Sequence, residues 1–281
     1  MKHSTMPDCI LARDTPASTD SLIPRIIYQT FETRDIAERM HRAASTWIEL
    51  NPEYEYRFFT NDDRRRVIAE NFAPSVLAAY DKLENGAFRA DLWRYCQLCL
   101  TGGVYADVDS ICERPLSQVI RPDDHFIAAR ADMVLHGLSN GFICSVPDHP
   151  FLVATISRAA DRILKSSGPI DGYRITGPWG LGVSVNAVLG RRSRHPFDIG
   201  VNHVKDHHFR LLEKTSDTAS SAGRLLSDGQ VVLLTQYDGY QDDLSQKKIS
   251  HWRQEEFYVK RSNSRARRLV RRLRKAFPGW I

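Results

Sequence analysis

Long apolar runs are missing from this 281-residue chain; none approaches the roughly 18 residues that a helical membrane span needs. Helical spans are therefore set aside. The first residues, MKHSTMPDCILARDTPASTDS, lack the uninterrupted apolar stretch of a secretory signal and carry acidic groups, so 1–21 reads as a loose leader and the chain as cytoplasmic. Cysteine is scarce and odd in number: Cys9, Cys96, Cys99, Cys112 and Cys144 have no disulfide-framework spacing, as expected of a reducing compartment. Cys96 and Cys99 form a CxxC inside a helical pattern, where two buried helix residues are expected rather than a redox or zinc pair.

Acidic residues are absent from the C-terminal segment 260–281, KRSNSRARRLVRRLRKAFPGWI. It holds nine of the 39 Lys and Arg, which turns a net charge of +5 for the whole chain into −4 for the rest. Read as a helix from Ser264, it puts Leu269, Val270, Leu273 and Phe277 on one side, arginines on the other and Trp280 near the end. That is the pattern of an interfacial helix on an anionic membrane. A disordered basic tail that binds polyanions is the alternative. No nucleic-acid partner is expected, and the location expected is the inner face of the membrane.

What is present is the material of one globular domain, 22–259: 42% of residues are hydrophobic and 26% charged. LIPRIIYQTF, residues 22–31, reads as a first strand. A helical period follows over 34–50 and stops at Asn51-Pro52, and 54–59 alternates as a second strand. Helices are expected at 62–71, at 74–84 and up to the glycines at 102 and 103, and strands at 125–130 and 141–146. An amphipathic helix over 150–164, a Gly/Pro-rich loop, a short helix at 183–189 and a late strand over 230–240 complete the pattern. Residues 191–229 fit no element. Strands alternating with helices make an α/β class.

GGVYADVDS, residues 102–110, ends an apolar strand in two carboxylates one residue apart. On an ideal strand Asp107 and Asp109 point to the same side, where they repel each other and call for a cation. Mn²⁺ or Mg²⁺, bound by a carboxylate or two plus substrate phosphates, would bridge such an edge to a diphosphate. A lone DxD is weak: a solvated carboxylate pair fits it equally, and so does a phosphatase nucleophile, although that motif normally closes the first strand of its domain. Asp91 and Arg94, three apart on a helix, read by themselves as a surface salt bridge. His203, His207 and His208 have no partner ligands at zinc spacing and read as solvated loop histidines.

The longer stretch FRADLWRYCQLCLTGGVYADVDSICERPL, Phe88 to Leu116, resembles the DXD sugar-binding region of glycosyltransferase family 32, in its Arg-x-Asp-x-x-Arg-Tyr helix, its Gly-Gly-x-Tyr turn and its DxD. IPRIIYQTF is similar to the family's opening strand, with Tyr28 where His is common and Phe31 where Trp is common. NPEYEYRFFTNDD, SNGFICSVPDHPFL, Thr176-Gly-Pro and His251-Trp match later blocks, so the resemblance spans about 22 to 257. It implies a GT-A-type α/β/α sandwich with a mixed sheet. It also implies a sugar moved from a nucleotide-diphosphate donor to a glycan or lipid-linked acceptor, with retention, in surface polysaccharide or lipopolysaccharide synthesis.

The resemblance further implies that Asp109 binds the metal, and that Asp107 contacts the donor and reaches the metal through water. Asp91 and Arg94 would bind sugar hydroxyls, with Thr30, Phe31, Arg89, Tyr105 and Asn140 as further donor contacts. His251 is the nominated last metal ligand, although the family's usual Ser-Trp after it is replaced by RQEEFY. A catalytically inactive nucleotide-sugar binder is the alternative from another class.

Overall fold

Alternation along two short apolar strands sorts the core into two sides. In Ile26–Thr30, Ile27 packs into one buried cluster and Tyr28 into the other, and in Gly103–Ala106 Val104 and Ala106 face away from Tyr105 in the same way. Both faces of the sheet are thus apolar, and both are covered.

The computed structural model describes residues 3–13, 21–131, 134–216 and 223–246. In chain order the elements are β1 (His3–Thr5), β2 (Cys9–Ile10), β3 (Ile26–Thr30), β4 (Asp35–Ala37), α1 (Glu38–Leu50), β5 (Glu55–Phe59), α2 (Asn61–Asn71), α3 (Pro74–Lys82) and α4 (Gly86–Thr101). There follow β6 (Gly103–Ala106), β7 (Ile111–Cys112), β8 (Phe126–Arg130), β9 (Leu138–Ser145), α5 (Pro150–Lys165), α6 (Gly172–Ile175) and α7 (Pro178–Val188). The last are β10 (Gly200–Val204), β11 (His207–Ser216), β12 (Gly223–Ser227), β13 (Gln230–Leu234) and α8 (Tyr240–Gln246). One mixed sheet runs β2-β5-β3-β6-β9-β8-β11-β12-β13-β7, with β10 also paired to β11. At its centre β3 lies parallel to β5 and β6, and β9 lies antiparallel to β6 and β8.

Helices α2, α3, α4, α5 and α7 supply the cluster built on Tyr28, Trp93, Tyr105, Phe126 and Phe151. Helix α1 covers the opposite face through Ala43, Ala44 and Trp47, together with residues of β12 and β13. The sequence signals explain the boundaries that matter for the site. Thr60 caps α2 in a reciprocal capping box with Asp63, and Asn85 caps α4 by accepting from the Ala87 amide at 2.7 Å. Between α4 and β6, Gly102 and Gly103 take φ of +64° and +104°, and a Cβ on Gly103 would strike the Ile26 carbonyl, so β6 can lie close beside β3 only with glycine there.

Several expectations are corrected. Within the segment read as a loose leader, the described residues 3–10 are paired: β1 lies antiparallel to β4, β2 antiparallel to β5, and Met6 is buried in the core. The helix read from Arg34 begins at Glu38, since Asp35–Ala37 serves as the partner of β1. The late strand ends at Leu234, and the helix expected at 183–189 starts at Pro178, a proline in the first turn. The unassigned stretch 191–229 forms β10, β11 and β12. His203, His207 and His208 accordingly lie on a hairpin rather than a loop, with the His203 and His208 rings stacked at 4.4 Å. Among the described residues no group of three or more His, Cys, Asp or Glu could hold a metal by itself. Cys96 and Cys99 are buried in α4, as expected.

Candidate functional site

The strands β3, β5 and β6 run parallel, and in α/β sheets ligands bind outside the carboxyl ends of such strands. Asp107 and Asp109 stand there. They are not on a strand: β6 ends at Ala106, and residues 107–110 make a turn in which the Ser110 amide donates to the Asp107 carbonyl at 3.0 Å. Every neighbouring layer pins this turn. The Asp107 amide donates to the Gly141 carbonyl at 2.8 Å, Gln29 of β3 donates to the Asp107 carbonyl at 3.2 Å, and Trp47 of α1 donates through its indole to the Ser110 carbonyl at 3.1 Å. Tyr56 of β5 holds Gln29 in place by donating to its Oε1 at 2.8 Å.

Asp91 and Arg94 of α4, read from the sequence as a surface pair, are buried, at 9% and 5% exposure. Their pairing at 3.1 Å is part of a larger chain, because Arg94 also meets Asp107 Oδ1 at 3.1 Å. Arg94 Nη1 donates to the Asn140 carbonyl at 2.6 Å, Nε to the Ala90 carbonyl at 3.3 Å, and the guanidinium lies 4.2 Å from the centre of the Tyr105 ring. Arg94 is thus held by two hydrogen bonds to main-chain carbonyls and by ion pairs to two carboxylates. Tyr105 completes the link by donating its hydroxyl to Asp107 Oδ1 at 2.7 Å. On the far side, Asn140 of β9 donates to Asp91 Oδ1 at 2.8 Å, and Thr176, the residue after α6, donates to Asp91 Oδ2 at 3.3 Å.

These contacts fix the electrostatics. Burial raises the Asp91 carboxyl to about 6, against the opposing pull of Arg94. For Arg94, burial works against the charge, but Tyr105, Asp107 and Asp91 around it hold its pKa above the ordinary value. Burial, and Asp107 beside it, push the Asp109 carboxyl well above its usual range. Asp109 forms no ion pair with any described residue, so the two neighbouring carboxylates share the one ion pair that Arg94 makes to Asp107. A hard divalent cation fits this donor set. Mg²⁺ and Mn²⁺ are commonly held by one or two carboxylates plus substrate phosphates, without a complete cage of protein ligands.

A third segment reaches the same turn from far along the chain. The Tyr237 amide donates to the Asp109 carbonyl at 2.9 Å, and its ring stacks edge-on against Tyr240 at 5.5 Å. Tyr237 donates its hydroxyl to Asp243 Oδ2 at 2.8 Å, and Arg39 of α1 grips Asp243 Oδ1 at 2.6 Å. Sequence reasoning missed Tyr237, Tyr240 and Asp243, because nothing in their local pattern marks them. It also missed Gly141, where a Cβ would overlap Asp107 Oδ2.

Of the donor contacts expected from resemblance, Tyr105 and Asn140 are in the cluster. Thr30 lies at the end of β3 with its hydroxyl donating to the Phe59 carbonyl at 2.6 Å, and the Phe31 amide donates to that same carbonyl at 3.2 Å. Arg89 stands apart: its Nε donates to the Leu83 carbonyl at 2.6 Å and its guanidinium lies against Tyr80. His251 and the segment 260–281 lie outside the described residues.

Residues 37–127, which include Asp91, Arg94, Tyr105, Asp107 and Asp109, match the family described as the glycosyltransferase sugar-binding region containing DXD motif. The match is confined to this DXD region of the chain. The chain is 32% identical over 149 residues to inositol phosphoceramide mannosyltransferase 3 of Schizosaccharomyces pombe, covering 53% of this chain and 40% of that protein. It is 34% identical over 155 residues to the mannosyl phosphorylinositol ceramide synthase SUR1 of Saccharomyces cerevisiae, covering 54% of this chain and 39% of the relative. The chain spans about two fifths of the length of these curated relatives. Among solved structures, the PaToxG glycosyltransferase superposes with a TM-score of 0.50 over 60% of this chain and 70% of that one, at 15% identity. That likeness shows the GT-A-type arrangement of the fold.

Proposed function

We propose that this chain is a metal-dependent glycosyltransferase that moves a hexosyl group, with retention, from a nucleotide-diphosphate sugar to a glycan or lipid-linked acceptor in surface-glycan or glycolipid synthesis. The observation that carries the reading is the chain Asn140–Asp91–Arg94–Asp107, buried through Arg94 and ending in the partly exposed Asp107 of the turn that holds Asp109. Buried charge pairs contribute little net stability, since desolvation offsets much of their attraction, so a network of this kind is better explained by what it positions. Arg94 acts by orientation: paired with both Asp91 and Asp107, it sets the Asp107 carboxylate. Asp91 and Asn140 set Arg94, and Tyr105 fixes the Asp107 carboxylate from the other side. Asp109 and Asp107 would hold Mn²⁺ or Mg²⁺, which when bound supplies Lewis-acid neutralisation of the departing diphosphate.

The mannosyltransferase names of the relatives support mannose as the first sugar to test. The composition of 260–281 supports attachment to an anionic membrane surface, where a lipid-linked acceptor would be found. Among the described residues no helix is long and apolar enough to cross a membrane.

The test is turnover of GDP-mannose, UDP-glucose and UDP-galactose with Mn²⁺ and with chelator, and with p-nitrophenyl phosphate as a phosphatase substrate. Metal-dependent release of nucleoside diphosphate from one donor supports the transferase. Tight donor binding without turnover supports an inactive binder, and release from the phosphate monoester alone supports a phosphatase.

A further inference from the structure

Beside the Asp91 end of the network lies a cationic cluster that the donor chemistry does not use. Trp179, in the first turn of α7, has the Arg174 guanidinium 5.2 Å and the Arg194 guanidinium 5.3 Å from the centre of its ring, and His136 meets it edge-on at 4.4 Å. Arg194 forms no ion pair with any described residue, and Arg174 has only a long, exposed contact of 3.5 Å to Asp171. His136 Nε2 is buried without a hydrogen-bond partner among the described residues. The loop from α7 to β10 adds Arg191 and Arg192 and, over 190–196, no acidic residue.

The cluster is held in place by the protein rather than being a loose patch. Asn186 of α7 donates to the His195 carbonyl at 2.9 Å, and the Phe197 amide donates to the Leu135 carbonyl at 3.0 Å, tying the loop to the turn before β9. Gly182 lets that turn lie on α7, for a Cβ there would strike the His136 carbonyl. The cluster also adjoins the site through two separate connections. Trp179 follows Thr176 by three residues, which limits their separation to about 11 Å, and His136 precedes Asn140 by four. Thr176 and Asn140 are the two residues that bond Asp91 from this side.

We propose that Trp179, Arg174, Arg194 and His136 form the acceptor subsite, and that it takes a sugar ring carrying a negatively charged substituent. The inference rests on the donor reading of Asp107 and Asp109, which sets the side from which an acceptor approaches. Two guanidinium groups ordered by one indole ring present charge-assisted donors to an anion, and the His136 ring packed edge-on against the indole holds it in place. A neutral sugar would leave both cations unused.

Binding of glucose 6-phosphate, glucuronate and glucose to the full chain, by titration calorimetry in low salt without donor, tests this. The anionic sugars are expected to bind, with glucose roughly tenfold or more weaker, the scale of one charge-assisted hydrogen bond. The Arg174→Gln/Arg194→Gln double variant, its fold checked by thermal melting, is expected to lose that preference. Preference for the phosphate or for the carboxylate then names the anion. Equal binding of glucose and the anionic sugars, no binding of either anionic sugar, or wild-type affinity in the double variant would each overturn the subsite. Donor hydrolysis by the unaltered chain is read separately: its absence would remove the donor reading and leave the binding result as it stands.

Discussion

At the residue scale, Asp109 and Arg94 carry different loads. Asp109 has no ion pair among the described residues, so Asp109→Asn should melt close to the unaltered protein while turnover falls by roughly 10² or more, the scale of losing a key electrostatic stabiliser. Near-normal turnover in saturating Mn²⁺ would remove Asp109 from the metal. Arg94 behaves otherwise. Its burial between Asp91 and Asp107 means that Arg94→Ala strands two carboxylates, at a cost of about 3–5 kcal/mol, and both melting temperature and turnover should fall. An unchanged melting temperature would show that the pair is solvated after all. The residue types and spacing of Asp91, Arg94, Asp107 and Asp109 were legible in the sequence, because they sit within one short segment. Their burial was not, since Asn140, which bonds both Arg94 and Asp91, and Thr176, which bonds Asp91, come from far along the chain. Gly141→Ala tests the close fit directly: the added methyl displaces the Asp107 carboxylate, and turnover should drop with little change in secondary structure by circular dichroism.

At the element scale, α5 offers a pH-dependent feature remote from the site. His149 caps this helix by accepting, through Nδ1, from the Phe151 amide at 3.2 Å, which requires an unprotonated ring nitrogen. Burial, with His207 and His125 nearby, lowers its pKa to about 3. The unfolded chain protonates this histidine near 6.5, so it binds more protons than the folded chain below that point. Stability therefore falls as pH drops from about 6.5 towards 3, by up to a few kcal/mol from this group. His149→Asn keeps a capping side chain without a titrating ring, and its melting temperature should depend less on pH across that window. An identical slope in the variant would assign the acid sensitivity elsewhere. The helices were readable because apolar periodicity and caps are local, as Thr60 and Asn85 show. Strands β10 to β12 were not readable, since a half-exposed hairpin bearing His203, His207 and His208 has no strong local period and is defined by its pairing to β8. The Arg39–Asp243–Tyr237 clasp is of the same long-range kind, uniting α1 and α8 beneath Asp109.

At the scale of the whole molecule, a two-faced mixed sheet brings one turn from its centre into contact with segments drawn from residues 29 to 237. The α/β class and the mixed sheet were legible from strands alternating with helices and from the resemblance. The order of its far strands was not, because β11 joins β8 in parallel across some eighty residues of intervening chain. Closing so many segments around Asp107 and Asp109 makes sense if that point must keep its geometry while a diphosphate enters and leaves. The most direct measurement is the affinity of the chain for GDP and for UDP, with and without Mn²⁺, in the unaltered protein and in Asp109→Asn. If the two aspartates hold a metal against the donor diphosphate, Mn²⁺ should tighten binding of one nucleotide by roughly tenfold or more, about 1.4 kcal/mol, and Asp109→Asn should abolish that gain. Binding that is indifferent to Mn²⁺, or a gain that survives in Asp109→Asn, would contradict it.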